Sequence, residues 1–270
     1  MPDAPAKITT ATLRARKGTA EKIAVVTAYD VVFARLADEA GVDAVLVGDS
    51  MGMVVQGERS TIGVTVDDIV YHSRIVSRGL GRAHLVADMP FMSYQASVED
   101  GMRAGGRLIK EGHAEAVKLE GGESVAELCR RLVQAGIPVM GHIGLTPQSI
   151  HQFGGFKVQG RTDAQRGQIL ADARALADAG AYAIVVEAVP HALAAEITRA
   201  VPAVTIGIGA GVDCDGQVMV MHDLLGLQPA WKPRFVRRYA EMGKAVGEAF
   251  AAYAADVRAG KFPAAEETYD

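Results

Sequence analysis

The feature that most constrains this chain is a series of eight short apolar runs spread along nearly its whole length. Most of them lack the strict apolar–polar alternation of a sheet with one wet face, which is typical of parallel strands covered on both sides. Each ends in a polar or glycine-rich turn. The runs are residues 23–29, 44–49, 84–88, 115–120, 137–143, 181–188, 203–209 and 217–223.

Helix-like segments lie between most of these runs. They cover roughly residues 30–40, 65–81, 96–112, 123–135, 162–179 and 190–200. Thr65 and Thr162 are suitable N-caps for two of them, with acidic residues following in the first turn of the former. The alternation of strands and helices predicts an α/β architecture.

Eight strands are the number that closes a barrel, so the sequence predicts a single (βα)8 TIM barrel. Such a barrel typically takes about 250 residues, and the whole chain, 1–270, is therefore interpreted as one catalytic domain. From about residue 233 the pattern predicts one long C-terminal helix. The segments 50–64 and 144–161 are long for barrel loops, and long loops in a compact domain are commonly functional.

Charge and composition exclude several classes of function. Lysine and arginine number 28 against 32 acidic residues, giving a net charge of -4 with no basic stripe for nucleic acid. No apolar run approaches the roughly 18 residues needed to cross a bilayer, and the N-terminus lacks the apolar core of a secretory signal. Cys129 and Cys214 are interpreted as thiols of a reducing compartment. We therefore expect a cytoplasmic protein with small-molecule substrates and no nucleic-acid or membrane partner.

Three successive runs end in acids: Asp49, Asp88 and Glu120. Any one of them taken alone is better explained as a cap for the helix that follows. Adjacent parallel strands lie about 4.8 Å apart, however, so all three side chains converge on one rim, where they would repel each other. A divalent cation resolves that repulsion, and Mg²⁺ prefers carboxylate oxygens. The sequence predicts a metal site formed by these three residues.

Three further residues end or precede the ends of strands. Lys118 lies two residues before Glu120 and so points to the same side of its strand, where it is either an ion-pair partner of Asp88 or Glu120 or a ligand for a substrate carboxylate. Glu187, across the barrel from Asp49, is placed to accept a proton, or simply caps the next helix. His142 is a candidate substrate contact, although a lone histidine is more often a core residue.

Around these residues the sequence resembles the ketopantoate hydroxymethyltransferase (3-methyl-2-oxobutanoate hydroxymethyltransferase) family. The matching stretches run through nearly the whole chain in family order. They are TAYD at 27–30, VGDSMGMVVQG at 47–57, ADMPFMSYQ at 87–95, VKLEGG at 117–122, GHIGLTPQ at 141–148, VVEAVP at 185–190, IGIGAG at 206–211 and DGQVMVMHDLLGL at 215–227.

The resemblance implies transfer of a hydroxymethyl group from 5,10-methylenetetrahydrofolate to 3-methyl-2-oxobutanoate through a Mg²⁺-stabilised enolate, giving ketopantoate for pantothenate and coenzyme A synthesis. By the same resemblance Asp49, Asp88 and Glu120 bind Mg²⁺. Asp49, Ser50, Asp88 and Lys118 contact the 2-oxo acid, and Glu187 is the proton acceptor. Family members form homo-oligomers, typically decamers of two stacked pentamers.

Two alternatives stay open at this point. One is a Mg²⁺-dependent lyase or mutase of the phosphoenolpyruvate mutase and isocitrate lyase group, whose members usually depend on a cysteine in a KKCGH-like loop. Cys129 and Cys214 lie in no such motif. The other is a non-catalytic barrel that binds a metabolite, which would leave the acids at the strand ends without a purpose.

Overall fold

The computed structural model describes residues 6–228 and 233–269, so residues 1–5, 229–232 and 270 lie outside it. The chain divides into two compact units, with the boundary between Val220 and Met221. The first holds the predicted barrel and the second holds the long C-terminal helix. The reading of residues 1–270 as one catalytic domain stays a prediction.

The first unit is a closed barrel of eight parallel strands in sequential order, as predicted. β8 pairs with β1 and closes the ring, with Val25 in register with Val218. The strands are β1 (Ile23–Thr27), β2 (Ala44–Val47), β3 (His84–Asp88), β4 (Ala116–Glu120), β5 (Val139–Gly144), β6 (Ala183–Glu187), β7 (Val204–Ile208) and β8 (Gly216–Met219). β8 is shorter than its apolar run because the chain turns into a helix at Met221.

Helices connect most of the strands. The six predicted segments are all helical, and three short helices of the first unit, at residues 10–15, 51–54 and 150–153, were not predicted. The helices of the first unit are α1 (Thr10–Ala15), α2 (Val31–Glu39), α3 (Met51–Val54), α4 (Val66–Ser77), α5 (Val98–Lys110), α6 (Ala126–Gln134), α7 (Ile150–Phe153), α8 (Asp163–Asp178) and α9 (His191–Ala200). Short 3₁₀ turns at Glu123–Val125 and Pro147–Ser149 precede α6 and α7. Within the described residues, the connection between β7 and β8 contains no helix.

Side-chain caps explain where several helices begin. Thr65 accepts a hydrogen bond from the backbone N–H of Asp68 and starts α4, and Thr162 does the same for Gln165 and starts α8. Asp30, the last residue of TAYD, caps α2 by accepting from Val32 and Phe33. Local sequence thus determines the residue at which each of these helices begins, and so limits the length of the loop between a strand and the next helix.

The interior of the barrel is filled with apolar side chains from its strands, and the N-terminal segment covers its lower end. Ile8 and Leu13 belong to the same buried cluster as Val25, Val86 and Ile206. The floor of the barrel is therefore packed, and the polar side chains described below lie at the opposite, carboxyl ends of the strands.

The second unit contains α10 (Met221–Leu224), α11 (Met242–Arg258) and a 3₁₀ turn at Ala265–Glu267. The prediction of a helix from residue 233 is wrong at its start. In residues 233–241 the backbone makes other bonds: Val236 N–H donates to the Pro233 carbonyl, and Tyr239 N–H donates to that of Leu224. These bonds replace the first helical turns, and the apolar periodicity of the segment could not reveal that.

Membrane insertion finds no support among the helices. Within residues 6–228 and 233–269, every helix is too short or too polar to be a membrane span.

Candidate active site

The carboxyl-terminal rim of the barrel brings together all the residues that the sequence singled out on strands two to six. Asp49 follows β2, and the side chains at Asp88, Lys118, Glu120 and His142 are nearly buried on β3, β4 and β5. Glu187 ends β6 and its side chain is 15% exposed. Strand register sets the neighbours: Asp88 pairs with Lys118, Glu120 with His142, and Gly144 with Glu187.

Lys118 lies between two of the acids, as predicted for an inward-facing ammonium. Its Nζ is 2.8 Å from Asp88 Oδ1 and 4.0 Å from Glu120 Oε1. Burial alone would lower the pKa of Lys118. The negative charges of Asp88, Glu120 and Asp49 outweigh burial and raise the pKa above its ordinary value. Lys118 therefore stays charged and neutralises one of the carboxylates.

His142 connects the acid cluster to Glu187. Its Nδ1 is 3.2 Å from Glu120 Oε1 and its Nε2 is 3.1 Å from Glu187 Oε2. Burial and Lys118 would lower the pKa of His142, but Glu120 and Glu187 raise it to about 9. With this raised pKa, His142 carries a positive charge between Glu120 and Glu187 at neutral pH. Lys118 Nζ also lies 3.2 Å from His142 Nδ1, so the two cations share the acid cluster.

Asp49 is the acid of the cluster whose ionised form is most disfavoured by its surroundings. Burial, followed by repulsion from Asp88 and Glu120, raises the pKa of its carboxyl well above the ordinary value. Asp88 is affected in the same direction, because burial raises its pKa more than Lys118 lowers it. For Glu120, His142 and Lys118 outweigh burial and lower the pKa. The rim has more negative charge than its own cations neutralise.

The donor atoms of this cluster fit a hard divalent cation. Among the described residues, Asp88 Oδ1 and Glu120 Oε1 are buried oxygens that accept no well-aligned hydrogen bond. Carboxylate oxygens left in this condition suit Mg²⁺ or a similar ion. No group of three His, Cys, Asp or Glu side chains in residues 6–228 and 233–269 already has the geometry of a metal site, so an ion held here would take further oxygens from water or substrate.

Ser50, implied by the resemblance as a substrate contact, follows Asp49 at the same edge of the barrel. Its hydroxyl is 2.8 Å from that of Tyr29, in TAYD. Asp49 N–H donates to Asp88 Oδ2 at 2.9 Å, which ties the Asp49–Ser50 turn to β3. The turn is thus held from two sides, and Ser50 stands beside the acids.

Gln148 and Tyr94 are central to the site, and the sequence did not single them out. Gln148 is only 5% exposed and its Nε2 donates to Asp49 Oδ2 at 2.9 Å. Tyr94 accepts from the Glu120 N–H at 3.0 Å and lies 2.7 Å from Gln148 Oε1. Both residues lie in loops that follow strands, within the stretches MSYQ and TPQ, and only the family motifs could have pointed to them.

Close approach of β5 to β6 depends on Gly144. Its φ is 90°, and a Cβ there would lie 2.3 Å from the carbonyl oxygen of Glu187. Leu145 N–H donates to that same carbonyl at 2.9 Å. A glycine is required here, and it holds the end of β6, and so Glu187, beside His142.

The two cysteines lie away from this rim. Cys129 is on α6 and Cys214 is between β7 and β8, and both are fully buried. Burial raises the pKa of the Cys129 thiol to about 11 and also raises that of Cys214. A thiol held protonated in the core is not an available nucleophile.

Sequence comparison gives a consistent result across the chain. A family model described as ketopantoate hydroxymethyltransferase matches residues 7–265. The 3-methyl-2-oxobutanoate hydroxymethyltransferase of Syntrophotalea carbinolica is 56% identical over 253 residues, covering 94% of this chain and 95% of that protein. The protein of the same name from Pelobacter propionicus is 50% identical over 270 residues, covering 100% of both.

Solved structures with a similar fold are more distant in sequence. A 2,3-dimethylmalate lyase, described as a member of the PEP mutase/isocitrate lyase superfamily, has a TM-score of 0.61 and 17% identity, covering 96% of this chain and 91% of that one. A phosphonopyruvate hydrolase has a TM-score of 0.64 and 12% identity, with 97% and 91% covered. At such identities the likeness concerns the barrel fold alone.

Proposed function

This chain belongs to the ketopantoate hydroxymethyltransferase family, and from that membership we propose how its rim carries out the family's reaction. The enzyme transfers a hydroxymethyl group to 3-methyl-2-oxobutanoate and forms ketopantoate, a step of pantothenate synthesis. The donor is 5,10-methylenetetrahydrofolate. The observation that carries the assignment of roles is the buried cluster of three carboxylates and Lys118, with Glu187 across His142 from it.

Asp49, Asp88 and Glu120 are the residues that would hold a divalent cation, which we propose to be Mg²⁺. Their excess negative charge supports this, as do Asp88 Oδ1 and Glu120 Oε1, buried oxygens that face the cations Lys118 and His142 without a well-aligned hydrogen bond in the described part of the chain. The ion would supply a Lewis acid for the negative charge that develops on the keto oxygen of the substrate.

The carboxylate and keto ends of the oxo acid are held by polar groups on the same side of the mouth. Lys118 carries the positive charge that a substrate carboxylate needs, and the Ser50 hydroxyl, oriented by Tyr29, adds a donor. Asp49 and Asp88 lie next to both. His142, whose two ring nitrogens face Glu120 and Glu187, contacts the substrate from the opposite edge.

Glu187 takes the proton from C3 of the oxo acid. Of the four acids Asp49, Asp88, Glu120 and Glu187, it is the one that keeps some exposure, 15%, and so can reach a molecule in the mouth. His142 fixes the carboxylate through Oε2 and leaves Oε1 as the base. Overall, C3 forms a new bond to the methylene carbon of the folate, and both bonds from that carbon to N5 and N10 break. Water supplies the hydroxyl group, and the proton from C3 and one proton from water end on the two folate nitrogens.

Folate binds, in this proposal, against the two long loops at the mouth. They contain short helices, α3 in residues 50–64 and α7 in residues 144–161. These loops expose Val55, Phe156 and Val158, apolar side chains suited to an aromatic ring system.

A lyase or mutase of the phosphoenolpyruvate mutase and isocitrate lyase group is the second candidate, favoured only by the shared barrel. A cysteine-dependent reaction of that kind finds no thiol at the rim in the described residues, because Cys129 and Cys214 are buried elsewhere. The sequence relatives do not support it either. The ketopantoate reaction is the better account.

The cellular context that we propose is a cytoplasmic homo-oligomer, with a decamer expected from the family resemblance. The mild net charge of -4 and the absence of membrane-spanning helices within the described ranges are compatible with this location.

The test is exchange of the C3 proton of 3-methyl-2-oxobutanoate for deuterium, followed by NMR with Mg²⁺ and without folate. We expect exchange that requires the metal and falls by at least about 100-fold in Glu187→Gln, the usual scale for loss of a general base. Glu99→Gln, an exposed glutamate in the first turn of α5, is the matched control and should exchange at the wild-type rate.

Exchange that survives in Glu187→Gln would remove Glu187 from the role of base. Formation of ketopantoate by the wild-type protein from the oxo acid and 5,10-methylenetetrahydrofolate tests the overall reaction separately. A protein that exchanges the proton but forms no ketopantoate with any one-carbon folate would contradict the transferase assignment.

A further inference from the structure

We propose that Gln148 is a positioning residue for Asp49, which holds Asp49 Oδ2 by a hydrogen bond and reserves Oδ1 for the cation. The proposal deepens the function above and rests on one part of it, the binding of a divalent cation by Asp49, Asp88 and Glu120. Gln148 is not itself a ligand in this scheme.

The orientation of the Gln148 amide is fixed by its neighbours. Its Oε1 lies 2.7 Å from the Tyr94 hydroxyl and 3.0 Å from Gln95 Nε2, both of which donate to it. The amide nitrogen must therefore point the other way, because an amide presents its oxygen on one side and its two N–H groups on the other. In that direction lie two acceptors, Asp49 Oδ2 and the carbonyl of Met89.

Every hydrogen-bonding group of the Gln148 side chain is thus used. Nε2 donates at 2.9 Å to Asp49 and at 3.0 Å to Met89, and Oε1 accepts two bonds. A buried amide that is fully satisfied in this way has one rotamer and one orientation. Asp49 therefore accepts a hydrogen bond from a neutral donor of fixed orientation. Such a donor orients the carboxylate without neutralising its negative charge, which remains available to the cation.

A second contact links the same residue to Glu120. The backbone N–H of Gln148 donates to Glu120 Oε2 at 2.9 Å, while Glu120 Oε1 is the oxygen without a well-aligned bond among the described residues. Two of the three acids are therefore each held through one oxygen by Gln148. In this proposal the ion meets the other oxygen of each acid, which for Glu120 is Oε1, 3.2 Å from His142 Nδ1. Residues that orient metal ligands in this way typically change metal affinity by about 10–100-fold when they are replaced.

The decisive variant is Gln148→Met, because methionine keeps the length of the side chain and the backbone N–H to Glu120 but removes the donor to Asp49. Mn²⁺ serves as the probe, with free and bound ion separated by electron paramagnetic resonance on the full chain without substrates. We expect the dissociation constant for Mn²⁺ to rise by about tenfold or more. At saturating Mg²⁺, kcat should return towards the wild-type value, while the Mg²⁺ concentration for half-maximal rate stays raised.

The matched control is Gln152→Met, the same substitution at an exposed position of α7 in the same loop. It should bind Mn²⁺ as the wild type does. Thermal unfolding in the presence of a chelator accompanies both variants. A purely structural role for Gln148 predicts a lower melting temperature with unchanged affinity in the folded protein, and that result would overturn the proposal.

Two milder variants test the orientation of the amide and cover the case in which Gln148→Met does not fold. Gln95→Met removes one donor to Gln148 Oε1 and leaves the amide itself in place. Tyr94→Phe removes the other donor, together with the acceptor of the Glu120 N–H. Each should weaken Mn²⁺ binding by a smaller factor than the loss of the amide. Wild-type affinity in both would refute the positioning role.

These outcomes are separate from the fate of the proposed reaction. If the wild type forms ketopantoate and Mn²⁺ binding ignores Gln148, the positioning role fails and the function stands. If Gln148→Met weakens Mn²⁺ and the wild type forms no ketopantoate, the positioning role stands and the reaction is wrong.

Discussion

Asp88 is the residue whose charge can be removed from the rim with the least change in shape and hydrogen bonding. Its Oδ1 faces Lys118, and its Oδ2 accepts from the backbone of Asp49. An asparagine keeps the shape and the second bond. It removes one negative charge from a set in which Asp49 and Glu120 already repel each other, so the loss of the ion pair is partly offset.

We therefore expect Asp88→Asn to weaken Mg²⁺ binding by about 100-fold, equivalent to about 3 kcal/mol, and to lower the free energy of unfolding by less than that. Titration calorimetry gives the first quantity and urea unfolding in a chelator gives the second. Asp67→Asn, at a side chain that is 80% exposed, is the control for both. Unchanged Mg²⁺ affinity in Asp88→Asn would contradict the metal site.

The sequence could locate the charged residues of the rim but not the neutral ones that orient them. Asp88, Glu120 and Glu187 are the last residues of strands, and their adjacency follows from parallel pairing alone. Gln148 and Tyr94 reach the site from loops, where no periodicity determines the direction of a side chain. The charge of His142 also depends on Glu120 and Glu187 together, which only the folded register brings to it.

At the scale of elements, α5 and α6 pack closely because two glycines of α5, Gly101 and Gly105, face leucines of α6. A Cβ at Gly101 would lie 2.5 Å from a methyl group of Leu128 and 3.1 Å from Tyr94 Cβ. A Cβ at Gly106, on the same helix, would meet nothing within 4 Å. The two positions therefore separate packing from helix propensity within one element.

We expect Gly101→Ala to destabilise the fold by about 1–2 kcal/mol, since overpacking outweighs the gain in helix propensity. Gly106→Ala should stabilise it by about 0.5–1 kcal/mol. Urea unfolding of both variants measures the difference. Equal effects of the same sign would show that close contact at Gly101 is not what keeps that position a glycine.

Glu115, just before β4, joins the base of the barrel to the N-terminal segment. Its Oε2 is 2.8 Å from Lys7 Nζ and accepts from Leu85 N–H at 2.8 Å. Burial would raise its pKa, but hydrogen bonds from His84, Lys7 and Leu85 lower it to about 2, below its usual 4.5. A depressed pKa stabilises the fold fully above pH 4.5, and this stabilisation is lost as the pH falls through 2.

Glu115→Gln should accordingly cost about 1–2 kcal/mol at pH 7, a value reduced for the partial exposure of the side chain. The difference from wild type should shrink as the pH is lowered from 4.5 towards 2. Urea unfolding midpoints of the wild type and the variant, measured from pH 4.5 to pH 2, follow this difference. A difference that does not vary with pH would assign the effect to lost packing and not to charge.

Element boundaries were predictable wherever a local signal exists. Thr65 and Thr162, predicted as N-caps, begin helices that the structure contains, and Gly180, with a φ of 98°, follows the end of α8. The start of α11 carries no such signal, and there the prediction was wrong: residues 233–241 form no helix, Tyr239 N–H donates to Leu224, and Met242 N–H, at the start of α11, donates to Leu225. Those bonds join distant parts of the chain and leave no trace in local periodicity.

At the scale of the whole molecule, closure of the barrel could be predicted from the number of apolar runs. Association of subunits depends instead on which apolar side chains remain exposed on the folded chain. None of the residues of α11 is buried. Large apolar side chains recur on one face of that helix at helical spacing and are exposed: Met242, Val246, Phe250, Tyr253 and Val257. We call this set the α11 stripe. An exposed stripe of this kind is typical of an association surface.

A helix of this length gains most of its stability from packing its apolar face, and within the second unit, in the residues described, that face lacks a full cover: Phe262 packs edge-on against Tyr253, and the side chains of the stripe stay exposed. A second copy of the chain would provide one, in agreement with the homo-oligomer expected from the family resemblance. We expect the double variant Val246→Glu, Phe250→Glu to form a smaller particle than the wild type in light scattering coupled to size exclusion. Ala255→Glu, on the opposite face of α11, should keep the wild-type size. An unchanged particle in the double variant would place the subunit contacts elsewhere, because two buried carboxylates facing their symmetry mates could not be tolerated in an apolar interface.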